Sequence, residues 1–510
     1  MSFANNLYVI SLLLSLITGG VTQAQNPENP SGNIEVQGKR PNILWIISDD
    51  MRPQLGCYGD RQVKSPNLDA FARSALLFEN AYAQSAVCSP SRNSMLSGLR
   101  PNTTGLRGFG VHLREVAPEV VTLPQHFKEN GYDSRAFGKI YHIYVESMLG
   151  NEDDPMSWSV PQQLPTVPVW GPEQNALRNR LIAEAKAHGK VFDHPHDWPR
   201  AETWDNSDIP DDMMQDGNIT SMVENYLHER KGKDQPFFLA VGFVRPHLPF
   251  NAPRKYWELY DPDELVLPDY RELPKNAPFW TVPQGIVSNY YNMPPFDEIN
   301  EAFKRRYLQA YLACISYVDA CVGRVLTALE ESGHADNTIV VFLGDHGYQM
   351  GEYDSWGHKH SNFEISTRAP LLIRAPGMTR EGQKTEHVTE FLDLYPTLCD
   401  LAGLYKPAHL EGQSFARLLH HREAFHKDEA GSEMIRGGRI GRSIRTSDYR
   451  YTEWRLKNNN LVDRELYDHR NDTEEGSLEK VNVADQAEYE DVAHSLSEKL
   501  QRMIPHEKRK

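Results

Sequence analysis

The first long run without charge after residue 40 is Asn42-Ile43-Leu44-Trp45-Ile46-Ile47, and it ends abruptly in Ser48-Asp49-Asp50. A run of this kind predicts a strand covered on both faces rather than an alternating one. The pattern recurs at residues 237–244, before Arg245-Pro246-His247-Leu248-Pro249, and at 338–343, before Gly344-Asp345-His346-Gly347. A fourth such run covers 371–374. Between the runs the apolar period lengthens. Over 303–331, Tyr307, Tyr311, Cys314, Val318, Cys321, Val325 and Leu329 recur every three or four residues, which predicts a long helix closed by Gly333. Shorter helices are predicted over 67–78, from Ser91 after Pro90, and over 123–130 before Gly131.

Buried strands alternating with helices predict an α/β sheet with helices on both faces. Sites in such sheets gather beyond the carboxyl ends of the strands. Three of the predicted strands end in Asp49-Asp50, in the Arg245–Pro249 segment and in Asp345-His346, so these residues are expected to meet. Residues 150–210 and 250–300 are irregular and rich in Pro, Trp and polar groups; such insertions either shape a pocket or decorate the surface. From about residue 435 the pattern changes to a hairpin-like region over 443–454 and a terminal helix over 487–502. The expected organisation is a main domain over 40–430 and a smaller α+β subdomain over 431–510.

The chain has 510 residues, 39% hydrophobic and 24% charged, enough for a large core. Its formal net charge of -16 removes nucleic acid as an expected partner; an anionic ligand would need a local pocket of cations or a metal. Residues 1–24 read as a signal peptide, with an apolar run from Leu7 to Ile17 and Thr22-Gln23-Ala24 at the cleavage position, followed by a polar leader over 25–39. No other segment is expected to cross a membrane, so the expected location is secreted or periplasmic, without stable membrane insertion after cleavage.

The five cysteines, Cys57, Cys88, Cys314, Cys321 and Cys399, do not form a disulfide framework. Cys314 and Cys321 would lie about 10 Å apart along one helix, too far to bond. All but Cys88 read as buried free thiols. Cys88-Ser89-Pro90-Ser91-Arg92 places a thiol at a helix N-terminus, where unpaired N–H groups favour an anion, with Arg92 returning to the same face four residues on. Position and charge alone suggest a reactive thiol. Asp49, Asp50 and Asp345 form a carboxylate cluster that calls for a hard cation such as Ca²⁺ or Mg²⁺.

Cys-x-Pro-x-Arg, followed by Ser94–Gly98 and Leu99-Arg100-Pro101, resembles the signature of the type I formylglycine-dependent sulfatases. The resemblance runs over nearly all of the chain after the leader. It is strongest toward the iduronate-2-sulfatase type, in Gly56-Cys57-Tyr58-Gly59, Ala86-Val87-Cys88, Gly138-Lys139-Ile140-Tyr141-His142, Lys359-His360-Ser361-Asn362-Phe363 and Ser443-Ile444-Arg445-Thr446. It implies an alkaline phosphatase/sulfatase-like fold, with Cys88 oxidised to formylglycine by a maturation enzyme. It implies a Ca²⁺ site made of Asp49, Asp50, Asp345, His346 and modified Cys88. Many sulfatases carry Asn where His346 stands; the iduronate-2-sulfatase type carries His. Lys139 would hold the formylglycine hydrate and His142 would take a proton from its hydroxyl. His247 would contact sulfate and donate to the leaving alcohol, while Arg92 and Lys359 would stabilise negative charge. His358 and His360 receive no catalytic role.

The implied activity is hydrolysis of sulfate esters on a sulfated carbohydrate, such as ulvan or a glycosaminoglycan. Three alternatives are a phosphonate or phosphate monoester hydrolase of the same superfamily, an iduronate-2-sulfatase acting on heparan or dermatan fragments, and a non-catalytic carbohydrate-binding protein. Tyr348 stands where the iduronate-2-sulfatase type tends to have Trp, and the insertions differ, which argues against strict action on 2-sulfated iduronate. Asn102, Asn218 and Asn471 lie in glycosylation sequons.

Overall fold

A computed structural model describes residues 39–144, 152–193, 197–287, 289–295, 298–424, 426–471 and 479–505. The expected signal peptide, and the leader up to residue 38, lie outside the described residues.

Seven strands make the main sheet: β1 (Asn42–Asp49), β2 (Leu76–Phe78), β3 (Asp133–Gly138), β4 (Phe237–Pro246), β5 (Thr338–Gly344), β6 (Leu371–Arg374) and β7 (Lys384–Thr385). Their spatial order is β7-β2-β6-β5-β1-β4-β3. β1 is central and parallel to both β4 and β5, and β3 extends the parallel set beyond β4. β6 runs antiparallel to β5 and β2, so the sheet is mixed and mostly parallel.

Every residue of β1, β4 and β5 is buried, as the uncharged runs predict. Alternate residues feed two cores, because side chains alternate across a pleated strand. Leu44, Ile46, Leu239, Val241, Val340 and Phe342 face one core, and Ile43, Trp45, Ile47, Phe238, Ala240 and Val341 face the other. The helices that cover them are α1 (Pro66–Ala72), α2 (Cys88–Ser97), α3 (Leu123–Glu129), α4 (Gln215–Arg230), α5 (Glu301–Glu331) and α6 (Leu394–Leu401). α1, α4 and α5 pack on the first face; α2, α3 and α6 pack on the second.

α5 is capped by the Asn300 side chain, which accepts the Phe303 N–H at 3.0 Å. Contrary to the expectation that no further segment could span a membrane, α5 is long and apolar enough to do so by length and composition. Most of it is buried against the sheet, so its apolarity serves the core.

Three local expectations change. The helix predicted over 67–78 stops at Ala72, because Leu76–Phe78 joins the sheet between β6 and β7. Helix α2 begins at Cys88 rather than near Ser91; Pro90 still falls in the first turn, where its missing N–H costs nothing. The irregular stretch 150–210 contains a helix, Pro172–Ala187, with no buried residue and therefore no apolar stripe to read.

Beyond residue 429 lies a four-stranded antiparallel meander: β8 (Ala430–Arg436), β9 (Arg439–Arg445), β10 (Tyr449–Leu456) and β11 (Leu461–Asp468). Helix α7 (Glu490–Met503) closes one face by packing Ala493, Leu496 and Leu500 on Ile444, Tyr451 and Leu466. Among the described residues all five cysteines are free, and Cys57 is only half-buried.

Lys139 is placed by a crossing too close for any side chain. Its N–H donates to the Gly242 carbonyl at 2.8 Å. A Cβ on Gly242 would stand 2.0 Å from the Lys139 carbonyl oxygen, and one on Gly138, at φ +76°, would stand 2.1 Å from the Gly242 oxygen. Gly242→Ala is therefore expected to destabilise the protein by about 1–3 kcal/mol through overpacking. The check is urea unfolding, where the midpoint should fall; an unchanged midpoint would mean that the crossing relaxes freely.

Candidate active site

The site begins where β1 ends. Asp50 has φ +62°, an uncommon conformation for a residue with a Cβ. Its backbone is pinned from both sides: the Tyr311 hydroxyl donates to its carbonyl at 2.9 Å, and its N–H donates to Asp345 Oδ1 at 3.0 Å. The end of β4 is held as firmly. Asp216 of α4 accepts the N–H groups of Val244 and Arg245 at 2.7 and 2.9 Å, and the Ser48 hydroxyl donates to the Arg245 carbonyl at 2.7 Å. This fixes the approach to His247, which lies between two cis X–Pro peptides. At the start of α2, the Ser91 hydroxyl donates to the Asp345 carbonyl at 2.5 Å and ties the helix to the end of β5.

The predicted residues come together. Asp49, Asp50, Cys88 and His346 each offer a ligand atom, all within 4.8 Å of one another. Asp345 adjoins this group, with Oδ1 3.6 Å from His346 Nε2 and Oδ2 accepting Arg92 Nε at 2.9 Å. Lys139 donates to Asp49, and Lys359 donates to Asp50 and lies 3.1 Å from Cys88 Sγ. His346 Nε2 approaches the same sulfur at 3.3 Å. Arg92 also donates to the Lys139 and Ile140 carbonyls, and its Nη2 is 3.4 Å from Asp49 Oδ1. His247 Nε2 lies 3.9 Å from Asp50 Oδ2.

This donor set could hold a metal ion. It gathers buried carboxylates with one imidazole, and Asp49 Oδ1 is buried without a hydrogen-bond partner among the described residues. Oxygen-rich donors suit a hard cation.

Burial and charge pull the titrations apart. Burial alone would push the Asp49 carboxyl up, but Lys139, His247, Arg92 and Lys359 hold it well below the usual range. Asp50 is likewise lowered despite its burial, chiefly by Lys359 and His247. Asp345 rises to about 7 through burial and the charge of Asp49, with Arg92 opposing. His346 falls to about 3 through burial and Lys359, so it is the neutral imidazole a metal requires. His142 is held well below its ordinary value by burial and Lys139, and His247 is lowered by burial. Burial and Asp49 push the Cys88 thiol well up, against the helix position that would favour an anion there.

The cluster floors an open cleft of roughly 220 Å³. Asp50, Cys88, His142, His247 and Lys359 line it, whereas Arg92, Lys139, Asp49, Asp345 and His346 are fully buried. His358 and His360 also line the cleft, and burial lowers them to about 4 and about 3. The outer wall carries Phe109, Tyr144 and Tyr348 together with Arg200 and Tyr290 from the two insertions. Tyr348 stacks on Tyr311 with ring centroids 5.5 Å apart. Sequence reading singled out Tyr348 but missed the roles of Tyr311 and Asp216 and the wall rings Phe109, Tyr144 and Tyr290. Tyr311 lay in plain view on the periodic face of α5, but periodicity reports burial and not a hydroxyl partner.

The Sulfatase family profile matches residues 41–404, and the profile of the N-sulphoglucosamine sulphohydrolase C-terminal region matches 351–506. Iduronate 2-sulfatase of Mus musculus is 34% identical over 480 residues, covering 81% of this chain and 84% of that protein. A sulfatase of Formosa agariphila is 31% identical over 435 residues, covering 82% and 80%. Among solved structures, BT4656 in complex with its substrate D-glucosamine-2-N,6-O-disulfate has a TM-score of 0.71 at 20% identity, covering 91% of this chain and 98% of that one. Phosphonate monoester hydrolase of Agrobacterium radiobacter has a TM-score of 0.70 at 24% identity, covering 91% and 95%. The two structures share the fold, and the family profile together with the iduronate 2-sulfatase similarity identifies the chain as a member of the sulfatase family.

Proposed function

We propose that this sulfatase hydrolyses sulfate esters of a sulfated carbohydrate, using formylglycine at position 88 and a calcium ion, after export to the periplasm or the exterior. The observation that carries the reading is the Cys88 side chain at the floor of the cleft, ringed by Asp49, Asp50, His346 and Lys359. Lys359 Nζ and His346 Nε2 both point at the Sγ position, which suits an oxygen-bearing side chain there. Burial and Asp49 push the unmodified thiol up, away from the thiolate that a sulfur nucleophile would need. The carbohydrate substrate is supported by the similarity to iduronate 2-sulfatase and by an ulvan-active sulfatase of Formosa agariphila at 28% identity.

Asp49, Asp50, Asp345 and His346 would hold the calcium ion, with residue 88 completing the set. The ion would withdraw charge from the sulfate, and hydrated formylglycine would supply one hydroxyl as nucleophile and a second that lets sulfate leave. Around them, Arg92, Lys139 and Lys359 stabilise the negative charge that develops on the transferred group. His247 donates a proton to the leaving sugar oxygen, and His142 accepts one at the release of sulfate. His247 Nδ1 lies 2.5 Å from the Leu248 carbonyl, so Nδ1 carries a proton and Nε2 gains one only in the imidazolium form.

Three outcomes are expected. Active protein should contain an aldehyde in place of the Cys88 thiol, seen by mass spectrometry of its peptide, and Cys88→Ala should lose activity by at least about 100-fold while keeping its circular dichroism; full turnover from wholly unmodified thiol would reject the mechanism. Chelation should lower both activity and thermal midpoint, and calcium should restore both; recovery with zinc but never with calcium would reject the metal assignment. The third concerns pH. His247 is lowered by burial, so its protonated fraction grows as pH falls. On a sugar sulfate, whose leaving oxygen needs a proton, kcat/KM should rise from about pH 8 toward pH 5, and His247→Ala should flatten that limb. A flat profile in the unaltered enzyme would remove His247 as the acid. Aryl sulfate and aryl phosphate esters assayed side by side test the phosphoesterase alternative.

A further inference from the structure

We propose that Glu152 is a positioning residue that sets His142 for proton transfer; this rests on the role given to His142 above. His142 poses a problem of orientation. A general base is normally aimed by a partner on its second ring nitrogen. Here neither ring nitrogen has a hydrogen-bond partner among the described residues, although the side chain is buried. The imidazole is held instead by packing, with its centroid 4.6 Å from the Phe109 ring and 4.9 Å from the Tyr144 ring.

Glu152 ties down both the backbone and the packing of that histidine. Its N–H donates to the His142 carbonyl at 2.8 Å. Its Oε1 accepts the N–H of Gly110, the residue after Phe109, at 2.8 Å. Its Oε2 accepts the Ser89 hydroxyl at 2.5 Å, and Ser89 follows Cys88. The Ser89 carbonyl is fixed in turn by the Asn93 amide at 2.9 Å. Glu152 therefore links three places: its backbone N–H holds the His142 carbonyl, while its buried carboxylate ties the start of α2 to the backbone beside the ring against which His142 rests. Each carboxylate oxygen accepts one of these bonds. Removing the carboxylate would leave the Gly110 N–H and the Ser89 hydroxyl unpaired and free Phe109 to move. Displacement of a reacting group by about 1 Å costs up to about 100-fold in rate. Glu152 belongs to the irregular insertion, so this part of it serves the site rather than decorating the surface.

The test is a double-mutant cycle on the full-length matured enzyme with an aryl sulfate, reading kcat, KM and thermal midpoint for Glu152→Ala, His142→Ala and the pair. Glu152→Ala is expected to lower kcat about 10–100-fold with KM changed less than about 2-fold. Glu152→Gln should recover most of the loss, because its amide accepts from Gly110 and donates to Ser89. In the His142→Ala background, Glu152→Ala should cost less than about 2-fold more, since groups acting as a unit are not additive. A purely structural clamp would instead cost the same in both backgrounds. Full additivity, or a Gln variant as poor as Ala, overturns the proposal while leaving the role of His142 intact. An unchanged kcat in His142→Ala overturns both. If Glu152→Ala does not fold, Glu152→Asp, which keeps the charge but shortens the reach, carries the same cycle.

Discussion

The structure depends on cancelling charge in a place where charge is costly. Asp49, Asp50 and Asp345 are buried at the carboxyl ends of two adjacent strands, with Arg92, Lys139 and Lys359 buried among them. A single carboxylate taken out of water costs several kcal/mol even after relaxation. The six side chains are tolerable only as a set, and the set exists only because β1, β5, the end of β3, the start of α2 and the loop carrying Lys359 meet at one point. Removing one cation would leave a carboxylate uncompensated, which is worse than never having buried it. Hence the tight crossing of Gly138 and Gly242 beside Lys139, and the two pins on Asp50, are part of the same arrangement as the chemistry.

That arrangement explains which parts of the molecule were legible in the sequence. Strands buried on both faces leave long uncharged runs, so β1, β4, β5 and β6 could be read within a few residues. The abrupt polar endings of β1, β4 and β5 gave away the site, because Asp-Asp directly after Ile-Ile-Ser has few other uses. The Cys88 motif added identity. Elements whose burial is shared or absent left weaker traces. α4 starts in Gln-Asp-Gly-Asn, and its Gly217 is there because a Cβ would meet the Asp211 carbonyl at 2.0 Å, a constraint with no local signature. Pro172–Ala187 buries nothing. Glu152 was invisible for a different reason: its three partners lie 10, 42 and 63 residues away, and no spacing rule reaches them.

The C-terminal meander is more than an appendage. Glu364 accepts Arg445 at 3.0 Å and Arg450 at 2.6 Å, and Arg450 also donates to Glu479 at 2.6 Å, all buried. Burial would raise the Glu364 carboxyl, but the two arginines hold it far below its ordinary value, so the junction stays ionised. Close by, the Asn362 amide donates to the Gly441 carbonyl at 3.1 Å, three residues from Lys359. The loop carrying Lys359 is thus gripped on its far side by β9. Substitutions in the meander can reach the cleft through this grip without touching it.

A protein with a net charge of -16 that binds sulfate esters must overcome its own field. Screening removes most of that difficulty, since surface charges farther than about 8–10 Å are weak at physiological salt. What remains is local. Among the described residues that line the cleft Asp50 is the only acidic one, Lys359 already donates to it, and Arg200 adds a cation, while burial keeps His358 and His360 neutral. The cation that counts for an incoming anion is therefore not the total but the residue left after the floor has been neutralised. A metal ion held by the floor would shift that residue decisively, because it would engage the carboxylates and release Lys139 and Lys359 from them. With an ion in place the two lysines would have alternative partners, carboxylate or sulfate, and the ion would decide between them.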